Sequence, residues 1–513
     1  MAARHETSAA PDSLRGCATW RHMTEGVLAA AGALAAMALT AAAAITAMGD
    51  PIAPLTRLVP TLVSMAVGGR VTLTGGSGGD PGGAAGMLGG LGLGGASGGM
   101  SLGAAGHVAA VPLMLTFVGT VVLGILFFRP LRRRVRATAG QFTARVAGTL
   151  LACAFAVPVV ASLAHGTAQL PHALTERMGK GGSGRGLGGG GLGKLLGGGG
   201  GGGGALSKVD FHTDIVMTTL LGLGWAMAVI AIGCLVARRT RLPRPIEQSR
   251  ARRCWNPVAS ALTGVSTALC SLLLFTGLLA AGAAWAGREQ AGKAAGGLLL
   301  AGPNLLGVLL TSGVGEPWQA GVHREQGQAG GMMGMLGGMG GMGGGSGADG
   351  GGGDRMISLP GWSGSGVPLW LIGLLLLTAM LLVAGYLAAG RAPARSLRQD
   401  VQAMVGRHME SGLRAAAIVC GSALVMCFLA RGTLQIGFRV MGTEMGGMKA
   451  ALDGAVGISA LGAPCAAVLA VCAGSLLQGR RARRRTRRAG HGTGAARRSP
   501  RGEKALAGPP ARR

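Results

Sequence analysis

The sequence predicts an all-α, polytopic membrane protein with about eight transmembrane helices. Hydrophobic residues make up 49% of the chain, charged residues only 13%, and the mean hydropathy is +0.45. Aromatic residues are 3%, which is unusually few for a soluble core of this size. Alanine, leucine and glycine instead suit helices that pack against one another in lipid. Together, these observations argue against a soluble protein.

Eight apolar runs approach the length of about 20 residues that a helix needs to cross a bilayer. They lie near residues 27–48, 107–128, 146–165, 215–237, 258–286, 367–389, 413–430 and 457–477. A ninth run, 295–315, is interrupted by Pro303 and Asn304. We expect this run, like the short run 58–69, to be interfacial or re-entrant. The first span is longer than the apolar region of a signal peptide, so we expect an uncleaved anchor.

Arginine predicts the orientation of these spans. Arginine-rich segments follow the second, fourth, sixth and eighth spans, whereas the alternate loops carry sparser charge. The first three of those loops, 49–106, 166–214 and 287–366, are long and rich in glycine, and the fourth is 431–456. Because positive residues concentrate in cytoplasmic loops, we expect both termini to be cytoplasmic and the membrane to be a bacterial plasma membrane. We expect the glycine-rich loops to be extracytoplasmic and disordered.

Two pairs of similar segments predict a parallel 4+4 internal repeat. LRRRVRATAG at 131–140 resembles LRQDVQAMVG at 397–406, and PTLVSMAVGG at 60–69 resembles PNLLGVLLTSGVG at 303–315. Repeats with the same orientation are related by an axis along the membrane normal, as in some transporters. The predicted organisation is a cytoplasmic tail (1–26), a first four-span half (27–240), a basic linker (241–257), a second half (258–478) and a disordered basic tail (479–513).

The combination of eight spans, alanine- and glycine-rich loops on one side and arginine-rich loops on the other resembles the streptophobe family. These are multi-span membrane proteins of high-GC actinobacteria. The resemblance covers nearly the whole chain and rests on this pattern rather than on a short motif. It implies a membrane location and no particular catalytic activity.

The predicted spans contain no Asp, Glu or Lys, and intramembrane charges are what normally mark proton and ion paths. No paired acidic motif and no HExxH sequence occurs. We therefore expect no enzyme activity and no cofactor. Helix-breaking residues within or beside spans are the remaining pointers to a solute path, because freed backbone groups must find partners. They are Pro158, Asn304 and Pro464.

Two groups of residues could hold a metal. Five methionines in the glycine-rich loop, Met332, Met333, Met335, Met339 and Met342, offer soft thioethers that suit Cu(I). Sister loops at 86–103 and 186–200 use leucine at similar spacings, so sulfur is better read as incidental. The second group is Asp210, His212 and Asp214, which would share one face of an extended strand. A polar entry to the fourth span is the favoured interpretation of this group.

The basic tail beyond Arg480 has no aromatic residue for base stacking. We therefore expect contacts with anionic lipid headgroups and no nucleic acid. The leading functional hypothesis is an envelope-associated interaction or structural role without catalysis. The alternative is a passive or weakly coupled transporter of an uncharged or lipophilic solute. A weaker alternative is extracytoplasmic Cu(I) binding by the methionine-rich loop.

Overall fold

A computed structural model describes residues 12–49, 53–76, 102–133, 138–169, 208–238, 240–285, 289–326, 355–358, 368–391, 401–440, 443–454 and 456–496. The helices in these ranges are α1 (Asp12–Met48), α2 (Leu55–Ala66), α3 (Leu113–Arg133), α4 (Ala139–Leu163), α5 (Ile215–Val236), α6 (Arg244–Glu247), α7 (Arg250–Trp285), α8 (Glu289–Ser312), α9 (Leu369–Arg391), α10 (Val401–Ala430) and α11 (Val456–Ala496). The strands are β1 (Val71–Gly76), β2 (Leu102–Ala109), β3 (His165–Gln169), β4 (Lys208–Thr213), β5 (Trp318–Gln326), β6 (Arg355–Ser358), β7 (Gly432–Val440) and β8 (Thr443–Gly454).

The helical, polytopic fold class is confirmed. Nine helices in the described ranges are long and apolar enough to cross a membrane: α1, α3, α4, α5, α7, α8, α9, α10 and α11. Eight of them coincide with the predicted spans, and the ninth is α8. Several helices extend past the predicted spans, and two extend furthest. α1 begins at Asp12, and α11 continues to Ala496, into the tail that was expected to be disordered.

The sequence analysis did not predict the strands. They form one antiparallel sheet of eight strands in the order β3-β4-β1-β2-β7-β8-β5-β6. Every strand lies wholly or mostly in one of the four glycine-rich or sparsely charged loops, and every strand except β6 lies next to a helix end. These loops must therefore lie at the same end of the helix bundle, which we call the sheet side. The segments that join α3 to α4, α5 to α7 and α9 to α10 lie at the opposite end, the arginine side.

The sheet has one apolar and one polar face, since successive side chains of a strand point in opposite directions. Val71 and Phe211 are buried on the apolar face. They pack with α2 residues that include Met65. This contact holds the apolar face of the sheet against α2.

α8 lies across the sheet-side ends of other helices. Gly296 of α8 is packed against Ala44 and Met48 at the end of α1. The Asn304 side chain bonds to backbone at the start of α3, and Gly313, just after α8, is packed against Gly373 near the start of α9. Although α8 has 24 residues, its contacts therefore keep both of its ends on the sheet side. The other eight candidate spans are those expected from the sequence.

The two halves of the chain repeat the same series of elements. Helix, helix, hairpin, helix, helix, hairpin and helix occur from α1 to α5 (the first half) and again from α7 to α11 (the second half). The first half contributes strands in the order β3-β4-β1-β2, and the second half contributes their counterparts in the same order, β7-β8-β5-β6. The sheet is therefore two copies of one four-stranded unit, side by side.

The hydrogen-bond registers align the two halves residue by residue. The sequence match of Leu131 with Leu397, carried forward, places Gly166 on Gly432. Gly166 lies opposite Phe211 in the neighbouring strand, and Gly432 lies opposite Leu452. On the next strand of each half, Phe211 lies opposite Leu73 and Leu452 lies opposite Ala320. Because Leu73 aligns with Ala320, the residues five positions before them, Gly68 and Gly315, also align.

Gly68 and Gly315 independently support the alignment. They have φ of +103° and +98° and each follows the end of its helix, α2 or α8. The next residue in each half closes the same bond to a carbonyl five residues earlier, Gly69 to Ser64 and Glu316 to Thr311. These are Schellman-type helix ends. The match of Pro60 with Pro303 proposed from sequence is therefore one helical turn out of register.

Candidate functional site

A cavity of about 300 Å³ lies on the sheet side, where the two halves of the chain meet. The first half contributes α2 and the turn from β2 into α3. The second half contributes α8, the turn from α10 into β7, and β8. The lining is almost entirely apolar, with Asn304 and Arg431 as its polar side chains. The repeat thus produces an apolar site at the joint of its two units.

Asn304 fastens the two halves together at this cavity. Its side-chain oxygen accepts from the Leu113 N–H at 3.0 Å, and its side-chain nitrogen donates to the Val111 carbonyl at 2.9 Å. The Leu113 N–H belongs to the first turn of α3, where backbone donors lack a partner within the helix. Asn304 is therefore the cap that ties α8 to α3.

Replacement of Asn304 by leucine should lower the free energy of unfolding by about 1–3 kcal/mol, because both backbone groups lose their partner. Denaturant unfolding of the detergent-purified protein measures this change. The matched control is Thr378→Ala, which removes an exposed hydroxyl bonded only within its own helix. We expect the control to stay within about 0.5 kcal/mol. Equal stability of both variants would show that Asn304 does not hold the joint.

The structure does not bring the three residues of the predicted solute path together. Asn304 lines the cavity, whereas neither proline does. Pro158 lies inside α4 in the first half, next to Val157, which packs on Gly222 of α5. Pro464 lies inside α11 in the second half. A solute path through this cavity would therefore be lined by α8 and would not include these two prolines.

The exposed face of the sheet carries a transverse row of polar residues. Cross-strand pairing places six residues side by side on β3, β4, β1, β2, β7 and β8: His165, His212, Thr72, His107, Gln435 and Lys449. The three histidines are exposed, and the other three residues are half-buried. The row crosses the boundary between the halves without interruption, so the sheet offers one continuous polar surface.

Asp210 and His212 lie in a strand, the geometry in which the sequence analysis expected them to share a face. Asp214 follows that strand and accepts from the backbone N–H groups of Val216 and Met217, so it caps α5. This agrees with a polar entry to the span. Within the described ranges, no group of three or more His, Cys, Asp or Glu residues could hold a metal. The five loop methionines lie outside the described ranges.

Equivalent positions of the two halves carry different chemistry. His165 accepts from Arg57 at 3.3 Å through Nε2, and its Nδ1 donates to the Ser162 carbonyl. Its counterpart is Arg431, which forms an ion pair with Asp453 at 3.0 Å and donates to the Gly454 carbonyl at 2.8 Å. The residues around them recur as LAHGTAQ at 163–169 and LARGTLQ at 429–435. This recurrence is visible in the sequence and predicts that the two segments are equivalent in the repeat.

Sequence analysis also missed a buried charge cluster near the arginine side. Arg145 of α4 is 2% exposed. It lies 3.3 Å from a carboxylate oxygen of Glu25 on α1 and donates to the Leu126 carbonyl of α3 at 3.2 Å. Its guanidinium also lies 5.2 Å from the centre of the Phe127 ring. Because hydropathy set the span limits just inside Glu25 and Arg145, neither residue was considered intramembrane.

Comparisons with family models, with curated proteins and with solved structures find no match.

Proposed function

We propose that this chain is a non-enzymatic interaction protein of a bacterial plasma membrane. Its sheet and glycine-rich hairpins form a contact surface outside the cytoplasm. The observation that carries the proposal is the single continuous sheet. Both halves build it on one side of the bundle, and its exposed polar row crosses their boundary. Side chains on a paired sheet are held at fixed positions, which suits a surface that contacts a partner.

The orientation follows from the arginines. The arginine side would face the cytoplasm, because positively charged loops are retained there, and both termini would then be cytoplasmic. Arginines on that side also donate to backbone carbonyls of other helices. Arg238 donates to the Arg391 carbonyl, and Arg414 donates to the Cys254 carbonyl. The remaining guanidinium groups would contact anionic lipid headgroups. Membership of the streptophobe family remains part of the proposal and rests on the pattern of spans and charges.

Site-specific photo-crosslinking in native membranes tests the function. A photoreactive amino acid at His107 or His212 should give adducts with protein partners of reproducible mass. The same amino acid at Leu272 or Phe155, which are 62% and 73% exposed on spans, should give lipid adducts only. Sheet positions that yield no protein adduct, or the same adducts as the span positions, would contradict the proposed function.

The cavity supports a second candidate function, transport or binding of a lipophilic solute. Transporters built from repeats bind their substrates where the repeats meet, near the membrane midplane. This cavity also lies where the two halves meet, but towards the sheet side. Ala301→Trp would fill the cavity, and we expect it to reduce binding of a lipophilic fluorescent probe at least about tenfold. Leu272→Trp is the matched control on the lipid-facing surface. Unchanged binding by the Ala301 variant would exclude the cavity as a solute site.

Cu(I) binding by the five methionines is a weaker third proposal. Changing all five to leucine should weaken Cu(I) binding, and equal binding would contradict this proposal.

A further inference from the structure

The cavity at the joint of the two halves has a charged side chain in its wall. Most of its lining residues are apolar, and the Asn304 side chain is engaged by the backbone groups of Val111 and Leu113. Among the described lining residues, Arg431 is therefore the polar side chain that remains for a ligand. A positive charge beside an apolar cavity suits a molecule with an apolar body and an anionic end.

The guanidinium of Arg431 is held in place and still has a donor to offer. Its Nη2 atom donates to the Gly454 carbonyl at 2.8 Å, and its Nε atom lies 3.0 Å from a carboxylate oxygen of Asp453. A guanidinium presents its N–H donors in a rigid planar fork. Within the described residues, no hydrogen bond from Nη1 is found. Nη1 can therefore donate to a ligand while the bond to Gly454 is kept.

The ion pair between Arg431 and Asp453 is open to competition. The side chain of Asp453 is 68% exposed and that of Arg431 is 37% exposed. Ion pairs as exposed as this one are weak, because water screens both charges. A ligand carboxylate on the cavity side of the guanidinium would lie in more apolar surroundings, where the attraction is stronger. Such a carboxylate can therefore compete with Asp453.

The repeat indicates that this ion pair is not a requirement of the fold. By the alignment of the two halves, the counterparts of Arg431 and Asp453 are His165 and His212. These histidines lie directly opposite each other, and neither of them lines the cavity. The equivalent pair of strands thus forms without an ion pair. The arginine occurs in the copy that borders the cavity.

The size and the opening of the cavity favour one flexible apolar chain. Its volume of about 300 Å³ is at the lower end for small-molecule sites, which span about 300–1,000 Å³, and leaves little room for a second chain. Leu305 lines the cavity and is 59% exposed, so the opening is apolar as well. A single chain can therefore extend past this opening while its charged end remains beside Arg431.

We propose that the ligand of this cavity is a single-chain carboxylic acid, with its carboxylate at Arg431 and its chain against α2 and α8. The proposal rests on the second candidate function, binding of a lipophilic solute at this joint, and names the class of solute. A carboxylic acid is ionised near pH 7, and its two oxygens match the planar fork of a guanidinium. An alcohol with the same chain would fill the cavity equally but would lack the charge.

Equilibrium binding of two fluorescent probes to the detergent-purified full-length chain tests the proposal. The probes share one acyl chain and end in a carboxylate or in a hydroxyl group. We expect the parental chain to bind the acid about tenfold more tightly than the alcohol. Arg431→Gln should remove this preference and leave binding of the alcohol unchanged, which also shows that the variant is folded. Asp453→Asn should strengthen binding of the acid about threefold, because the competing carboxylate is removed.

Ala301→Trp separates this proposal from the solute function on which it rests. If it weakens binding of both probes while Arg431→Gln and Asp453→Asn bind the acid like the parental chain, the ligand class is wrong and the solute site stands. If it changes the binding of neither probe, the solute site and its ligand class both fall. Equal affinity of the parental chain for acid and alcohol would also overturn the proposal, as would displacement of the acid by an equimolar two-chain anionic phospholipid.

Discussion

Replacement of Arg145 by methionine is expected to destabilise the folded protein by about 3–5 kcal/mol. The guanidinium lies between Glu25, the Leu126 carbonyl and the Phe127 ring, with 2% of the residue exposed. Its removal leaves the Glu25 carboxylate partly buried without its strongest charge partner, and this is the costly way to break a buried pair. Thermal and denaturant unfolding in a single detergent measure the change.

Arg21→Met is the matched control, because Arg21 contacts the same Glu25 at 3.9 Å but its side chain is 74% exposed. Exposed pairs contribute about 0–1 kcal/mol. The double variant Glu25→Gln with Arg145→Met should recover much of the loss, since no unpaired carboxylate remains. A loss for Arg145→Met that equals the loss for Arg21→Met would show that the cluster is not buried in the folded protein.

Replacement of Gly148 by valine is expected to cost about 3 kcal/mol, at the upper end for overpacking. A Cβ atom on Gly148 would lie 2.2 Å from the Met23 carbonyl oxygen, and one on Gly26 would lie 2.2 Å from the Arg145 carbonyl oxygen. The obstacles on both sides are backbone atoms of α1 and α4, so no side-chain rotation relieves the clash. The helices would have to separate, which would also pull Glu25 away from Arg145.

Gly224→Val in α5 is the control for this prediction, because a Cβ atom there meets nothing within 4 Å. Both variants place a β-branched residue inside a spanning helix, so their difference isolates the close approach of α1 and α4. Unfolding midpoints in detergent compare them. Indistinguishable midpoints would mean that these two helices do not cross at Gly26 and Gly148.

Hydropathy and arginine placement predicted the helical part of this fold well, because lipid imposes length and composition on every span. The regular structure inside the loops was less visible. β1 alternates Val71, Thr72, Leu73 and Thr74, a strand pattern, but it is only six residues long and precedes a glycine-rich segment. Its partners lie far away in sequence, so local pattern alone could not pair them.

The candidate site was predicted only in part. Asn304 was selected because it interrupts an apolar run, and it does line the cavity between the halves. Arg431 was overlooked because a single arginine after a span looks like an ordinary boundary residue. Arg431 lies at the cavity because β7 pairs with β2, across more than 300 residues of chain. The similarity of LAHGTAQ to LARGTLQ indicates that β3 and β7 are equivalent, but it does not give that pairing.

We propose that α8 begins and ends on the sheet side, so that eight spans separate the sheet from the arginine side. Cysteine labelling of intact cells with a membrane-impermeant reagent tests it. The exposed positions are Lys293→Cys in the second turn of α8, Gln319→Cys beyond its end, and Gln248→Cys on the arginine side. We expect the first two to react in intact cells and Gln248→Cys to react only after the membrane is opened. Labelling of Lys293→Cys and Gln319→Cys from opposite sides would establish a ninth span and rule out the eight-span topology.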